Sequence, residues 1–418
     1  MTTRGIYLDG HATTRPDPRV VAAMRPYLED DFGNASSRTH AYGWRAEEAV
    51  TRARAQVARL IHADPKEILF TSGATESNNL AILGGLRGHA EKGDHLITAA
   101  TEHPSVLDVA RMAAEQGSEV TILPVDGRGR VDPAAVATAM TPRTVMVSIM
   151  AANNEVGTLG PLAEIGAICK ERGVLFHTDA AQAIGKVPID VLAAGIDLLS
   201  ISAHKIHGPK GVGALYVRRK NPRVALRPLL AGGGQERGIR PGTLNVPGIV
   251  GLGTALEIAR NEMTVESQRL AALRDRLQQG FQARLADIVV NGDEERRLPN
   301  NLNVSFAFVE GEALLLALDG VAVSSGSACT SEKREPSHVL KAMGVSDTMA
   351  QTSLRFGLGR FNTEQEIDAV IERVAQAVVR LREISPLGRP QESGHKEMTH
   401  VESTMGAAPR GPHEGGRA

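Results

Sequence analysis

The sequence is short of cysteine, of aromatic residues and of net charge, and each shortage removes a class of protein. Only Cys169 and Cys329 occur among 418 residues. They are too few and too far apart for a disulfide framework or a cysteine-built metal site, which points to a reducing, cytoplasmic setting. The 47 basic and 48 acidic side chains cancel to −1, so the electrostatic footprint of a dedicated nucleic-acid binder is missing. No stretch approaches the ~20 apolar residues that cross a bilayer, and Met1 to Asp9 lacks the apolar run of an export signal. Neither membrane nor nucleic acid is an expected partner. Aromatic residues make up 3%, which leaves few large anchors. What is present is ordinary for a globular enzyme: 42% hydrophobic and 23% charged residues. The 43 glycines, about 10% against a usual ~7%, suit a loop-rich α/β protein.

From Ile68 to Val217 short apolar runs alternate with amphipathic stretches, the pattern of crossover helices covering a mostly parallel sheet. Seven runs read as strands, beginning at Ile68, His95, Val120, Thr144, Val174, Leu198 and Gly213. Between them, Pro104 to Gln116 and Pro161 to Arg172 carry proline at the first helical position and end near Gly117 and Gly173. The glycine-rich segment Ala231 to Thr243 reads as a long functional loop. A helix from Ile249 to Leu285 follows, then short strands and helices up to about Ile384. The expected organisation is an N-terminal segment (1–15) joined to the small domain, a large domain (16–248), a small α+β domain (249–385) and a disordered tail (386–418) rich in Gly, Pro, Ser, Glu and His.

Three segments carry candidate chemistry. Thr71-Ser72-Gly73-Ala74-Thr75 joins a strand to a helix start, where backbone N–H groups and the Thr75 hydroxyl can hold a phosphate; a plain helix cap would read the same way. Asp179 stands at the carboxyl end of a buried strand, the edge where open α/β sheets bind ligands, or else caps the next helix. Lys205 follows another strand in Ser202-Ala203-His204-Lys205; a lysine partly desolvated in a crevice can form a Schiff base, whereas a lone lysine is usually a solvated charge. Together, an anion cradle, a partner for a pyridinium nitrogen and an aldehyde trap are the three attachments that pyridoxal phosphate needs.

In these motifs the sequence resembles the cysteine desulfurases of the iron–sulfur cluster and nitrogen-fixation type, in the class V branch of fold type I pyridoxal-phosphate enzymes. Further matches are Thr101-Glu102-His103, Asn153-Asn154-Glu155-Val156-Gly157, Asp179-Ala180-Ala181-Gln182, Arg240-Pro241-Gly242-Thr243-Leu244 and Ser324-Ser325-Gly326-Ser327-Ala328-Cys329-Thr330. The resemblance implies a large domain on a mainly parallel seven-stranded sheet, a small α+β domain, and a homodimer. It assigns Lys205 to the cofactor aldehyde, His103 to ring stacking and proton transfer, Asp179 to the ring nitrogen, Gln182 to the ring oxygen and Asn154 to the ring's side. Ala74, Thr75, Ser202 and His204 would hold the phosphate, with Thr243 reaching in from the partner subunit. Asn34 and Arg355 would grip the substrate carboxylate. Cys329 would take the sulfur of L-cysteine as a persulfide, leaving L-alanine, and pass it to an acceptor protein such as an iron–sulfur scaffold or a thiolation enzyme. No resident metal is implied, although Cys329 is a candidate transient ligand of an iron–sulfur cluster.

The residues around Cys329 agree with that assignment. Ser324 to Ser331 is small and polar and runs into Glu332-Lys333-Arg334-Glu335, a setting for an exposed loop cysteine, while Cys169 sits in a helical apolar context and is expected to be a buried hydrophobe. Gly10-His11 and Asn34-Ala35 depart from the family pattern. So does the tail beyond Leu387, which does not look like a scaffold-docking segment. The alternatives that stay open are a selenocysteine lyase, another class V aminotransferase or lyase, and a sulfur-delivery scaffold with weak basal turnover.

Overall fold

The computed structural model describes residues 5–325 and 336–384. Cys329 and the 386–418 segment lie outside them. The chain forms thirteen described strands: β1 (Ile6–Tyr7), β2 (Ile68–Thr71), β3 (His95–Ala99), β4 (Glu119–Leu123), β5 (Thr144–Ser148), β6 (Leu175–Asp179), β7 (Leu198–Ser202), β8 (Gly213–Val217), β9 (Ile288–Asn291), β10 (Asn301–Phe306), β11 (Val321–Ala322), β12 (Ser324–Ser325) and β13 (Ser353–Gly357). All seven strand runs read from the sequence are present, within a residue or two at their ends.

Strands β2 to β8 make one seven-stranded sheet in the order β2-β8-β7-β6-β5-β3-β4. The pairs from β4 through β7 are parallel, whereas β8 is antiparallel to both β7 and β2. Two reversals cancel, so β2 points the same way as β6 and β7. The consequence decides the site: Thr71, Asp179 and Ser202, each the last residue of its strand, lie along one edge of the sheet. Every residue of β3, β5, β6, β7 and β8 is buried, as expected when helices cover both faces. The edge strand β4 is more open, with Glu119 and Ile122 exposed and Leu123 buried.

Helix starts follow from proline and capping. His103 caps the helix Pro104–Glu115 and Asp132 caps Pro133–Ala139, each with proline at the first position. Pro161, read as a first helical residue, is instead the cap of Leu162–Glu171.

The second sheet has the order β12-β13-β10-β9 and is antiparallel throughout. Its core holds Phe281, Phe306 and Phe356, with Phe281 at 5.3 Å from Phe356 and 5.8 Å from Phe306 between ring centroids. Leu8 joins this core, and β1 pairs in parallel with β11, so the chain's first strand packs with its last third. One continuous helix, Val246–Arg284, links the two halves: Val246, Leu252 and Leu256 enter the core of the large sheet, and Leu270, Leu277 and Phe281 enter that of the small one. Among the described residues no helix is long and apolar enough to cross a membrane.

Candidate active site

The loops leaving β2, β3, β5, β6 and β7 open onto one cavity of about 490 Å³. The β2 turn is held from inside: the Thr71 and Ser77 hydroxyls lie 2.8 Å apart, and Ser77 Oγ donates to the Ala214 carbonyl at 3.1 Å. Gly73 then starts the helix Ala74–Gly88 with φ 155° and ψ −179°, a conformation almost confined to glycine. A Cβ on Gly73 would meet nothing within 4 Å, because the position faces the cavity. No side chain caps this helix, so its first N–H groups and positive dipole end are left for an anion. Ala74 and Thr75 line the cavity here, together with Ser202, His204 and Lys210.

Lys205 stands on the 3-10 turn Ala203–Lys205 directly after β7. Its Nζ donates to the carbonyls of His11 and of Ala12, the latter at 2.8 Å. Asp179, 6% exposed, accepts from Asn78 Nδ2 at 2.7 Å and from the Ala181 N–H at 2.8 Å. Gln182 is gripped on three sides. Lys186 Nζ donates to its Oε1 at 3.3 Å, His11 Nδ1 lies 2.9 Å from the same oxygen, and its Nε2 donates to the His11 carbonyl at 3.0 Å. From the small sheet, Arg355 reaches in on β13, donating to the Asn154 carbonyl at 3.0 Å and to Asp9 Oδ1 at 2.9 Å. His103, Asn154, Asp179, Gln182, Lys205 and Arg355 all line the same cavity.

The electrostatics favour an anionic guest. Burial, reinforced by Lys205, Lys210 and Lys186, brings His204 down to about 4, and burial, reinforced by Lys205, brings the half-buried Lys186 down to about 7. His11 is lowered well below the ordinary histidine value, chiefly by burial. Behind the cavity burial acts oppositely on acids, raising Glu155 to about 7 and Glu102 well above the ordinary carboxyl value. His11 and His204 are therefore held neutral on the cavity wall, and the cationic side chains that line it are Lys205, Lys210 and Arg355.

Two expected residues do not reach the cavity within this chain. Asn34 is exposed, its Oδ1 accepting from the Ser36 N–H at 2.9 Å, and Thr243 is exposed on the glycine-rich loop. That loop is tied back to the β2 turn, since Arg240 Nε donates to Glu76 Oε1 at 2.8 Å while Glu76 Oε2 accepts from the Ser72 N–H at 2.7 Å. Cys169 is fully buried, with its thiol pushed up to about 12 by burial. Sequence reasoning left His11, Lys186, Asn78 and Ser105 without a role. Lys186 could have been found by its i, i+4 spacing from Gln182 and Ser105 by its place two residues after His103, whereas His11 and Asn78 meet the site through contacts between distant segments.

Comparison with known proteins adds the family. The aminotransferase class-V model matches residues 6–370. The cysteine desulfurase IscS of Anaeromyxobacter dehalogenans (strain 2CP-C) is 58% identical over 382 residues, covering 91% of this chain and 94% of that protein. Among solved structures, a NifS-like protein superposes with a TM-score of 0.84 at 38% identity, over 90% of this chain and 100% of that one. SspA, solved in complex with cysteine, superposes with a TM-score of 0.76 at 36% identity, over 86% and 100% of the two chains. With the sheet, the strand-end lysine and aspartate and the uncapped helix already in place, these matches mean that the chain belongs to the aminotransferase class-V family, on the branch of the cysteine desulfurases.

Proposed function

We propose that this chain is a cysteine desulfurase that converts L-cysteine to L-alanine with pyridoxal phosphate held in the strand-end cavity, and that Cys329 receives the sulfur. The observation that carries the reading is the joining of Lys205, Asp179 and the uncapped helix at Gly73 around one cavity. The residues present fit the cofactor. Gly73 leaves open the space a side chain would fill, and Asn154 Oδ1, buried on the cavity wall, has no hydrogen-bond partner among the described residues. The backbone N–H groups after Gly73, with Thr75, Ser202 and His204, would hold the phosphate. Asp179 would face the ring nitrogen, Gln182 the ring oxygen, His103 the ring face, and Lys205 the aldehyde. Thr243 would complete the phosphate site from a second copy of the chain in a homodimer. When bound, the cofactor supplies an electron sink for the carbon that carries the substrate's amino group.

The chain's own residues do the rest. Arg355, held by Asp9 and the Asn154 carbonyl, is pre-oriented to bind the carboxylate of cysteine, with Asn34 as its proposed partner. Lys205 and His103 are the groups that can hold or move a proton at the reacting carbons. The Cys329 thiolate attacks the substrate sulfur, so that an S–S bond forms and the Cβ–S bond breaks. The electron pair stays with Cβ, which takes up a proton to become the methyl group of alanine, and Cys329 keeps the persulfide. A downstream acceptor protein then takes the sulfur, with iron–sulfur cluster biosynthesis the proposed use and the cytoplasm the proposed compartment.

Adding pyridoxal phosphate to the purified chain tests this reading. The expected result is a visible absorption band that Lys205→Ala abolishes, and equal amounts of alanine and transferred sulfur on addition of L-cysteine. Faster turnover of selenocysteine than of cysteine would move the assignment to a lyase of that substrate. A chain that stays colourless would remove the enzymatic reading.

A further inference from the structure

A chain of hydrogen bonds runs from Asp179 to His103 through two residues that the proposed chemistry does not use. Asn78, fully buried, places its Nδ2 at 2.7 Å from Asp179 Oδ2 and 2.9 Å from Ser105 Oγ. Ser105 Oγ in turn lies 2.8 Å from His103 Nδ1, and the Ser105 backbone N–H donates to the same nitrogen at 3.1 Å.

The proton positions follow from donor chemistry alone. A carboxylate only accepts, so one amide hydrogen of Asn78 goes to Asp179. The other goes to Ser105 Oγ. That oxygen, already accepting, has its own hydrogen free to donate to His103 Nδ1, where a backbone N–H also points. A ring nitrogen that faces two donors carries no proton. His103 is therefore the neutral tautomer with its hydrogen on Nε2, the nitrogen with no partner among the described residues, on a ring that lines the cavity.

We propose that Asn78 and Ser105 are positioning residues which fix the proton of His103 on Nε2 and tie that tautomer to the carboxylate of Asp179. His103 then presents a neutral N–H donor to the cavity. It can take up a proton only at Nδ1, against two donors, so the first proton abstraction falls to Lys205. Burial acts in the same direction, since it lowers the affinity of His103 for a second proton. The charged or titratable groups facing the ring are Asp179 on β6, which favours the cation, Lys205 and His338, which oppose it, and Asp108 on the ring's own helix, which favours it. The adjacent Glu102 turns away, its Oε1 accepting the Met150 N–H at 2.7 Å.

This inference rests on the reading that the cavity holds the cofactor between His103 and Asp179, and the test keeps the two apart. Nitrogen NMR of the full-length, cofactor-loaded protein labelled in histidine, with His103→Gln to assign the signal, reports tautomer and titration directly. The visible band reports cofactor binding separately, so its loss would count against the cofactor reading and not against the tautomer. In the parent protein His103 should show a protonated Nε2 and a bare Nδ1, titrating below the ordinary histidine value of ~6.5. Ser105→Ala should raise that titration point by about half a pH unit or more, because one of two hydrogen bonds to the neutral ring is lost. It should also let the Nδ1-protonated tautomer appear and move the acidic limb of the turnover profile by the same amount. Ser105→Thr, which keeps the hydroxyl, should restore both. A proton found on Nδ1 in the parent protein, or a Ser105→Ala variant with unmoved tautomer and titration, would overturn the proposal.

Discussion

The strand-end residues and the loop residues of the proposed site differ in completeness. Asp179, Ser202 and Lys205 are placed by a sheet whose central strands are buried along their whole length, and the site they form closes within one chain. Asn34 and Thr243 sit on exposed loops and touch none of it. Phe32 is 69% exposed, Trp44 55% and Leu230 56%, and Phe32 stands against Tyr42 with ring centroids 5.4 Å apart. The difference teaches that the sheet carries the proposed chemistry, while the loops carry what a second copy would complete in the proposed homodimer.

The comparison can be broken hardest at the strand ends. Lys205→Ala should lower alanine formation by roughly three orders of magnitude or more, with loss of the visible band; a variant that keeps both would remove the lysine from its role. Next come the loops. Thr243→Ala should weaken cofactor retention by about tenfold, the worth of one hydrogen bond to a charged group. Mixing Thr243→Ala with Lys205→Ala chains should restore wild-type retention in the mixed dimer, since one site then has both residues. No restoration would place Thr243 in its own chain's site and dissolve the contrast.

Smaller effects separate the site's support from its chemistry. Lys186 titrates at about 7 in the fold against ~10.4 unfolded. Below pH 7 both states are charged and the fold bears the full cost of the half-buried cation, a few kcal/mol in order of magnitude. As pH rises from 7 toward 10.4 the unfolded state binds more protons, so that cost falls away. Lys186→Met should therefore gain stability over the parent at pH 7, by a margin that shrinks toward pH 10, as read from urea midpoints. A margin independent of pH would contradict the account. In the small sheet, Phe281→Ala should cost about 3–5 kcal/mol of stability through the cavity it leaves, and should leave cofactor retention unchanged well below the melting temperature.

The same contrast explains what could be read from the sequence. The seven strands were legible because they are short apolar runs with β-branched residues, and the residues after Thr71, at Asp179 and after Ser202 were legible as chemistry because strand ends are where such sheets bind ligands. Arg355 came from family resemblance, since it lies in no telling local pattern, and Cys329 from that resemblance together with its small, polar sequence surroundings. His11 and Asn78 were not legible, and Lys186 and Ser105 only through their spacing from Gln182 and His103. Asn78 reads as one more polar residue in a helix, and only folding brings it against Asp179 and Ser105. A helix from Ile249 to Leu285 was legible, and the structure has it at Val246–Arg284, but its service to two different cores was not, because its apolar stripe changes partner part-way along.

The measurement that bears most directly on the central claim is the fate of the sulfur. After L-cysteine is added to the cofactor-loaded protein, alanine is counted against the mass of the peptide that carries Cys329. The account predicts one sulfur atom gained on Cys329 per alanine in the first turnover, and no alanine beyond background from Cys329→Ala, although that variant keeps the visible band. Undiminished alanine and sulfide from Cys329→Ala would contradict it.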